Sequence, residues 1–354
     1  MTKQFWTRAA ACCGLCAVLL CGCRAAPSRS TVDPQDPLTG GQPAAPGQRV
    51  AAVSISNDPA AGSQRGLSTA AVVLEALTVQ NTPTRLCLVY PSIEQVPQVG
   101  PVADGQDLYW QLLAGQQALA VQRGGSRYTR NYFDYYNLEP IDAIEVGRLA
   151  FHTRPRWSNA PAWYTSGEEL ETAVARLGLT TGITAGKTTA TDTEGRLQLP
   201  AFLPFAENGR LPAPSQEGAV AMQVQFGTSS ATAFQYDSAS QTYKMKRGDG
   251  VPQRDANTGV QAAFDNLLVL YTASSLREDG RTLEYDLSMG GGVLLRAGRL
   301  WHITWRQGAS STLALYDEGG KALALAPGRS YLAFVSSVTG REVAVTDAAG
   351  QSLL

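Results

Sequence analysis

Histidine is almost missing from this chain, with only His152 and His302 among 354 residues. A zinc centre needs about three protein ligands, and two scattered histidines without motif spacing offer little for one. The same scarcity weakens a Ser-His-Asp reading, although serine is plentiful. Excess charge is lacking too. Twenty-nine basic against 30 acidic residues leave a net charge of −1, which argues against nucleic acid as a partner. Long apolar runs are also absent. The longest, Ala9 to Leu20, falls short of the roughly 20 residues that span a bilayer.

That short run nevertheless has a reading. Lys3 and Arg8 precede it, and Leu20-Cys-Gly-Cys23 closes it, which is the processing signal of a bacterial lipoprotein with Gly22 before the cut. Cys21 is a poorer acceptor, because Leu20 would then precede the cut. The mature chain should begin at a lipidated Cys23 and be anchored to the cell membrane, facing outside the cytoplasm. That compartment excludes ATP and NAD, and no cofactor is implied. Cys12, Cys13, Cys16 and Cys21 leave with the signal, so Cys87 has no disulfide partner and reads as buried packing within Leu86-Cys-Leu-Val. Losing Lys3 and Arg8 brings the mature net charge to −3.

About 330 mature residues suggest more than one core, and the expected organisation is as follows. Residues 1–22 form the signal, and residues 23–49 a disordered tether of Pro, Gly, Ala, Ser and Gln. The tether reaches roughly 30 Å as a coil and about 80 Å when extended. Residues 50–180 form an α/β domain, residues 181–215 a linker or excursion, and residues 216–354 a β-rich domain. The fold class is therefore α+β: an N-terminal sheet with covering helices, followed by a mostly antiparallel β domain.

Within the first domain, strands are predicted at Val50–Ser56, Arg85–Tyr90 and Ala118–Gln122. Leu67, Ala70, Ala71, Leu74 and Leu77 suggest a helical stripe between the first two. Asp107–Ala114 reads as a helix starting near Asp104 or Gly105. Ser166-Gly-Glu-Glu169 is a capping box for a helix reaching Leu177, and Gly178 ends it. From Ala219 onward short alternating runs predict strands at 219–226, 231–236, 241–247, 266–272, 282–287, 293–296, 300–306 and 330–335.

Several stretches invite a chemical reading. Gly182 to Thr188 echoes a phosphate loop but is one residue short of the required spacing. Asp255-Ala-Asn257-Thr-Gly259 opens like a calcium loop, yet Asn266 stands where the bidentate glutamate belongs, so a tight turn is the better reading. In Trp301-His-Ile-Thr-Trp305 alternation puts His302 on the face opposite the tryptophans. Tyr128, Tyr132, Phe133, Tyr135 and Tyr136 could stack on a sugar, or cover the core of an irregular segment, and the second reading is favoured. Asp58, just past a strand end, is the first acid-base candidate, with Glu75 and Asp104 beside it and Arg85 as a cation. Helix capping by Asp104 and a surface Glu75–Arg85 pair would account for the same residues.

The stretch Val53-Ser-Ile-Ser-Asn-Asp58-Pro-Ala-Ala-Gly-Ser-Gln64-Arg-Gly66-Leu-Ser68, with Leu74-Glu75-Ala76 and Thr84-Arg85, resembles the opening of the YerB-like lipoproteins, the family called domain of unknown function 3048. Gly100-Pro101-Val102, Gly124-Gly125-Ser126, Ala160-Pro161 and Tyr164-Thr165-Ser166 continue the resemblance in order. Tyr236-Asp237, Tyr243, Gly248, Asp255, Asn266, Gly290 to Gly292, Trp305 and Pro327-Gly328 carry it through the second half. Coverage is about residues 50 to 336. The resemblance implies an N-terminal α/β domain and a β-rich C-terminal domain, and no established reaction. Its motifs supply the ligand-binding candidates Asn57, Asp58, Arg85, Gly124, Gly125, Ser126 and Tyr164. Two departures stand out. Members of the family carry arginines after Gly-Pro-Val, where this chain has Ala103-Asp104-Gly105-Gln106, and a histidine after Ala-Pro, where it has Ala162-Trp163. If those basic positions bind an anion or act in catalysis, this chain has lost or replaced that function.

The expected function is a membrane-anchored, non-catalytic binding module for a cell-wall polymer or another envelope protein. The alternative is a hydrolase or transferase acting on a wall glycan or lipid-linked precursor, with Asp58, Glu75 or Asp104 as acid and base. A role in assembling other exported proteins is a third possibility.

Overall fold

The computed structural model describes residues 31–32, 35–154, 161–186, 188–206, 211–228, 230–307, 312–336 and 342–354. Cys23 and the signal, on which the lipidation expectation rests, lie outside the described residues, as do Ala160 and Lys187. Among the described residues no helix is long and apolar enough to cross a membrane.

The apolar run 51–56 forms β1 (Ala51–Ser56), buried along its whole length. It pairs antiparallel with β3 (Arg85–Tyr90) and parallel with β4 (Leu119–Gln122). Between β1 and β3 lies a strand, β2 (Val72–Ala76), where a helical stripe was expected. All five of its residues are buried. A strand covered on both faces shows no alternation, so the apolar positions from Leu67 to Leu77 also fit a helical period. The β-branched pair Val72-Val73 and two flanking strands decide the outcome.

The helices fall closer to expectation. α1 (Asp107–Leu112) starts at Gln106, which gives no side-chain cap, so Asp104 does not cap it. α2 (Arg127–Tyr136) holds the tyrosine cluster in a regular helix and not an irregular segment: Phe133 is buried, while Tyr135 and Tyr136 face outward. A two-residue strand, β5 (Ile141–Asp142), follows. In α3 (Gly167–Leu177) Ser166 Oγ accepts from Glu169 N at 3.4 Å and Glu169 Oε2 accepts from Ser166 Oγ at 3.0 Å. Gly178 closes that helix in the left-handed region.

Apart from the short Gln216–Glu217, the further strands of the two larger sheets are β6 (Ala221–Gln225), β7 (Ala231–Asp237), β8 (Thr242–Arg247), β9 (Ala263–Phe264), β10 (Asn266–Thr272), β11 (Met289–Arg296), β12 (Arg299–Gln307), β13 (Leu313–Tyr316), β14 (Ala322–Leu323), β15 (Ser330–Ser336) and β16 (Glu342–Thr346). In β12 Trp301, Ile303 and Trp305 are buried, while His302 is half-buried and Thr304 exposed, as alternation requires.

One twelve-stranded mixed sheet runs in the order β14-β13-β12-β11-β10-β15-β2-β3-β1-β4-β5, with Gln216–Glu217 added on β12. β15 sits between β10 and β2, parallel to both, so strands from the two halves of the chain share one hydrogen-bonded ladder. A second, antiparallel sheet, β9-β8-β7-β6-β16, packs against it through Phe234 and Phe264, whose rings lie 4.7 and 5.8 Å from that of Tyr331. The architecture is α+β.

The stretch read as tether is partly built in. Asp36 and Leu38 are buried, and Asp36 Oδ1 accepts from Leu38 N and Thr39 N. Phe202 N donates to Pro37 O, which ties this turn to the segment read as linker. Leu38 is one apolar side chain in a Pro- and Gly-rich stretch, too little for a periodicity argument to register.

Candidate functional site

At the C-terminal end of β1 the chain turns through Asn57-Asp58-Pro59, and this turn forms one wall of a groove. The opposite wall is the end of β8 with the loop that follows. A cavity of about 700 Å³ is lined by Asn57, Asp58, Gln64, Arg247, Gln253 and Arg254, among others. A second cavity of about 450 Å³ adjoins it around Asn57, Asp58, Pro59 and Arg247, and adds Thr84, Ser230 and Asp249. Gly248 lets these walls close, because a Cβ there would lie 2.7 Å from that of Ala231.

The floor is a net of side-chain amides. Asn57 Oδ1 accepts from Gln64 Nε2 at 3.1 Å and from Gln253 Nε2 at 2.9 Å. Its Nδ2 donates to Glu75 Oε1 at 2.8 Å and to Thr84 Oγ1 at 2.9 Å. Gln64 Nε2 also donates to Ser56 O. Asn57 thus uses its full hydrogen-bonding capacity.

Beneath Asn57 lies Glu75, on β2 and fully buried. Besides Asn57 it accepts from Thr84 Oγ1 at 2.6 Å, Thr232 Oγ1 at 3.0 Å and Tyr331 OH at 2.7 Å. Burial pushes its carboxyl above the usual range, and the four hydrogen bonds pull back without cancelling that push. Tyr331 is held well above its ordinary value, first by its own burial and then by the Glu75 charge.

The candidate residues sort into separate places. Asn57 and Asp58 reach the groove, and Asp58 Oδ1 accepts from Ala60 N at 2.8 Å, capping a one-turn 3-10 helix. Glu75 is behind Asn57 and away from solvent, so the expected surface pair with Arg85 does not form. Arg85 Nε donates instead to Asp104 Oδ1 at 2.7 Å, and Asp104 Oδ2 accepts from Gln106 Nε2 at 2.6 Å. Where the resemblance implies arginines this chain has an acid, neutralised by a cation from β3. Gly124 N donates to Asp142 Oδ1 and Oδ2, and Gly125 pairs with Gly105. Ser126 caps α2 through Thr129 N. Tyr164 OH donates to Ser63 O at 2.9 Å, bracing the groove from outside its lining. These last residues position backbone and do not face the groove.

Gln64, Arg247, Gln253 and Arg254 were not legible as site residues. Gln64 and Gln253 are far apart in sequence, and glutamine carries no motif spacing. Asp255 takes the tight-turn role: its Oδ1 accepts from Asn257 N, and its Oδ2 from Ser68 N and Oγ at 3.0 and 2.7 Å. Cys87 is fully buried, and its thiol is pushed up by desolvation, which makes it packing and not a nucleophile. His152 Nδ1 lies 2.8 Å from Glu169 Oε1, at the start of α3. Among the described residues no three His, Cys, Asp or Glu side chains gather to hold a metal.

Two family models match the chain: the N-terminal domain of the protein of unknown function DUF3048 over residues 38–180, and its C-terminal domain over residues 222–332. The Bacillus subtilis protein named "Putative lipoprotein YerB" is 26% identical over 306 residues, covering 84% of each chain. The crystal structure of YerB protein from Bacillus subtilis superposes with a TM-score of 0.72 at 23% identity, covering 87% of this chain and 99% of that one. This likeness is one of fold. Asn57, Asp58 and Glu75 fall in the first matched segment, and Arg247, Gln253 and Asp255 in the second.

Proposed function

The chain belongs to the DUF3048 family, and from that membership we propose that it is a lipid-anchored envelope lipoprotein that binds a cell-wall polymer, without catalysis, in the groove between Asp58 and Arg247. The anchor rests on Leu20-Cys-Gly-Cys23 and on the name of its Bacillus relative. One observation carries the binding reading. Each carboxylate offered for acid-base work already has a structural partner: Asp58 caps a turn, Glu75 is sealed under four donors, and Asp104 is held by Arg85 and Gln106. Glycoside hydrolysis needs two carboxyls facing one bond across roughly 5–9.5 Å, and these three face different surroundings. The groove does offer what polymer binding asks for: length, a fixed polar floor and a cation on each side of the loop after β8.

The protein in mild detergent, mixed with purified wall sacculi, should pellet with them and leave the wall intact by mass spectrometry of the supernatant. Arg247→Glu should weaken retention about tenfold, near 1.4 kcal/mol. Soluble wall fragments that disappear with Asp58→Ala would make the protein an enzyme and overturn this reading.

A further inference from the structure

The groove floor holds an unanswered acceptor. Gln253 is 4% exposed, and its Nε2 donates to Asn57 Oδ1 and Gln64 Oε1. Its Oε1 is buried with no hydrogen-bond partner. A buried carbonyl left unpaired is costly, so an arriving N–H or O–H is favoured at that spot. Its neighbour Arg254 is exposed and gives one donor, Nη1, to Gly259 O at 2.9 Å. Among the described residues it has no acidic partner, whereas Arg247 forks onto Asp249 with Nη2 and Nε. A guanidinium with free donors favours a carboxylate.

The groove also lacks something. Neither cavity has an aromatic residue among its described lining, so a sugar ring finds no face on which to stack. Besides its charged residues, the lining has four amides (Asn57, Gln64, Gln225, Gln253), three prolines (Pro59, Pro83, Pro252) and small hydroxyls such as Ser63 and Ser230. Amides that both donate and accept complement the N–H and C=O of a peptide unit. The two adjoining cavities offer room for several units in extended form.

We propose that the groove takes the peptide part of the wall polymer and not its glycan strand, with a peptide N–H on Gln253 Oε1 and a carboxylate on Arg254. This rests on the wall-binding reading above and narrows it to one component of the wall.

The test uses one preparation of sacculi, cut enzymatically into peptide-free glycan strands and released wall peptides, each titrated into the protein by calorimetry. Wall peptides should bind and glycan strands should not. Gln253→Leu and Arg254→Glu should each weaken peptide binding at least about tenfold. Arg254 is exposed, so its variant should keep the melting temperature and remain informative if Gln253→Leu folds poorly. Binding of glycan strands alone would overturn the proposal, and so would peptide binding unchanged by Arg254→Glu. If intact sacculi still retain the protein while neither fragment binds, the peptide assignment falls and wall binding stands. If sacculi do not retain it either, both fall.

Discussion

Replacing Arg329 by alanine should cost about 3–5 kcal/mol of stability, one of the two largest losses expected from a single side chain here. The guanidinium binds three backbone carbonyls at once: Nε to Ala70 O at 2.8 Å, Nη1 to Ala263 O at 2.8 Å and Nη2 to Leu67 O at 3.0 Å. Leu67 and Ala70 lead into β2, and Ala263 begins β9, so this one side chain ties the first half of the chain to the second sheet. Its plane also lies over the Phe264 ring, 5.0 Å from the centroid. Burial lowers the Arg329 pKa, with Asp265 opposing that shift, yet the group stays charged. Alanine would leave three carbonyls facing a void, each costing about 1–3 kcal/mol if unsatisfied. Water entering the vacated space would recover part of that sum, which sets the expected total. Lysine should rescue little, because a point charge with three donors on one atom cannot reproduce a planar fork aimed at three separated acceptors. Urea unfolding of both variants checks this. A loss below about 1 kcal/mol for Arg329→Ala would mean the carbonyls find other partners. The preceding residue explains why the turn cannot vary freely. Gly328 has φ +151°, and a Cβ there would lie 2.5 Å from that of Asp265, whose carboxylate accepts from Arg329 N.

Most strands of the second half were legible in the sequence, both the alternating β7, β8 and β12 and the buried β10 and β15. β10 spans the expected residues 266–272, and β7, β8, β12 and β15 lie within a residue or two of expectation. The capping box of α3 was equally clear, since it depends on four consecutive residues. One central strand was harder. β2 is buried on both faces, and only its neighbours β3 and β15, the latter some 250 positions later, distinguish it from a helix. The site followed the same rule. Asp58 was found because a strand end before proline is a local signal, and Asn57 because it stands in a motif of the family resemblance. Gln253, 196 positions from Asn57, has no such signal, and neither do Thr232 and Tyr331, which close over Glu75 from the other half. The one local hint was a carboxylate inside Val72-Val-Leu-Glu-Ala-Leu77. A lone acid in so apolar a run demands buried donors once the run is a strand.

That acid gives the second large effect and a way to separate architecture from binding. Glu75→Leu should cost about 3–5 kcal/mol, because it leaves the Asn57 amide and the Thr84, Thr232 and Tyr331 hydroxyls without their acceptor. Glu75→Gln should be far milder, since threonine and tyrosine hydroxyls can rotate to accept from the new amide. The two should also differ with pH. The folded pKa of Glu75 lies above its unfolded value, so the stability from the neutral carboxyl is fully present below about pH 4.5. It is lost as pH rises through the folded pKa, where wild type must ionise a buried group. The glutamine chain has no such group to ionise. Its stability relative to wild type should therefore improve from acid toward neutral pH, read from urea midpoints across that range. Midpoints that stay parallel at every pH would show that Glu75 does not titrate above its unfolded value. Asn57 carries the consequence to the groove, because one amide joins Glu75 below to Gln64 and Gln253 above. Glu75→Gln should keep Asn57 in place and preserve wall retention, whereas Glu75→Leu should release it and lose retention even where the fold survives.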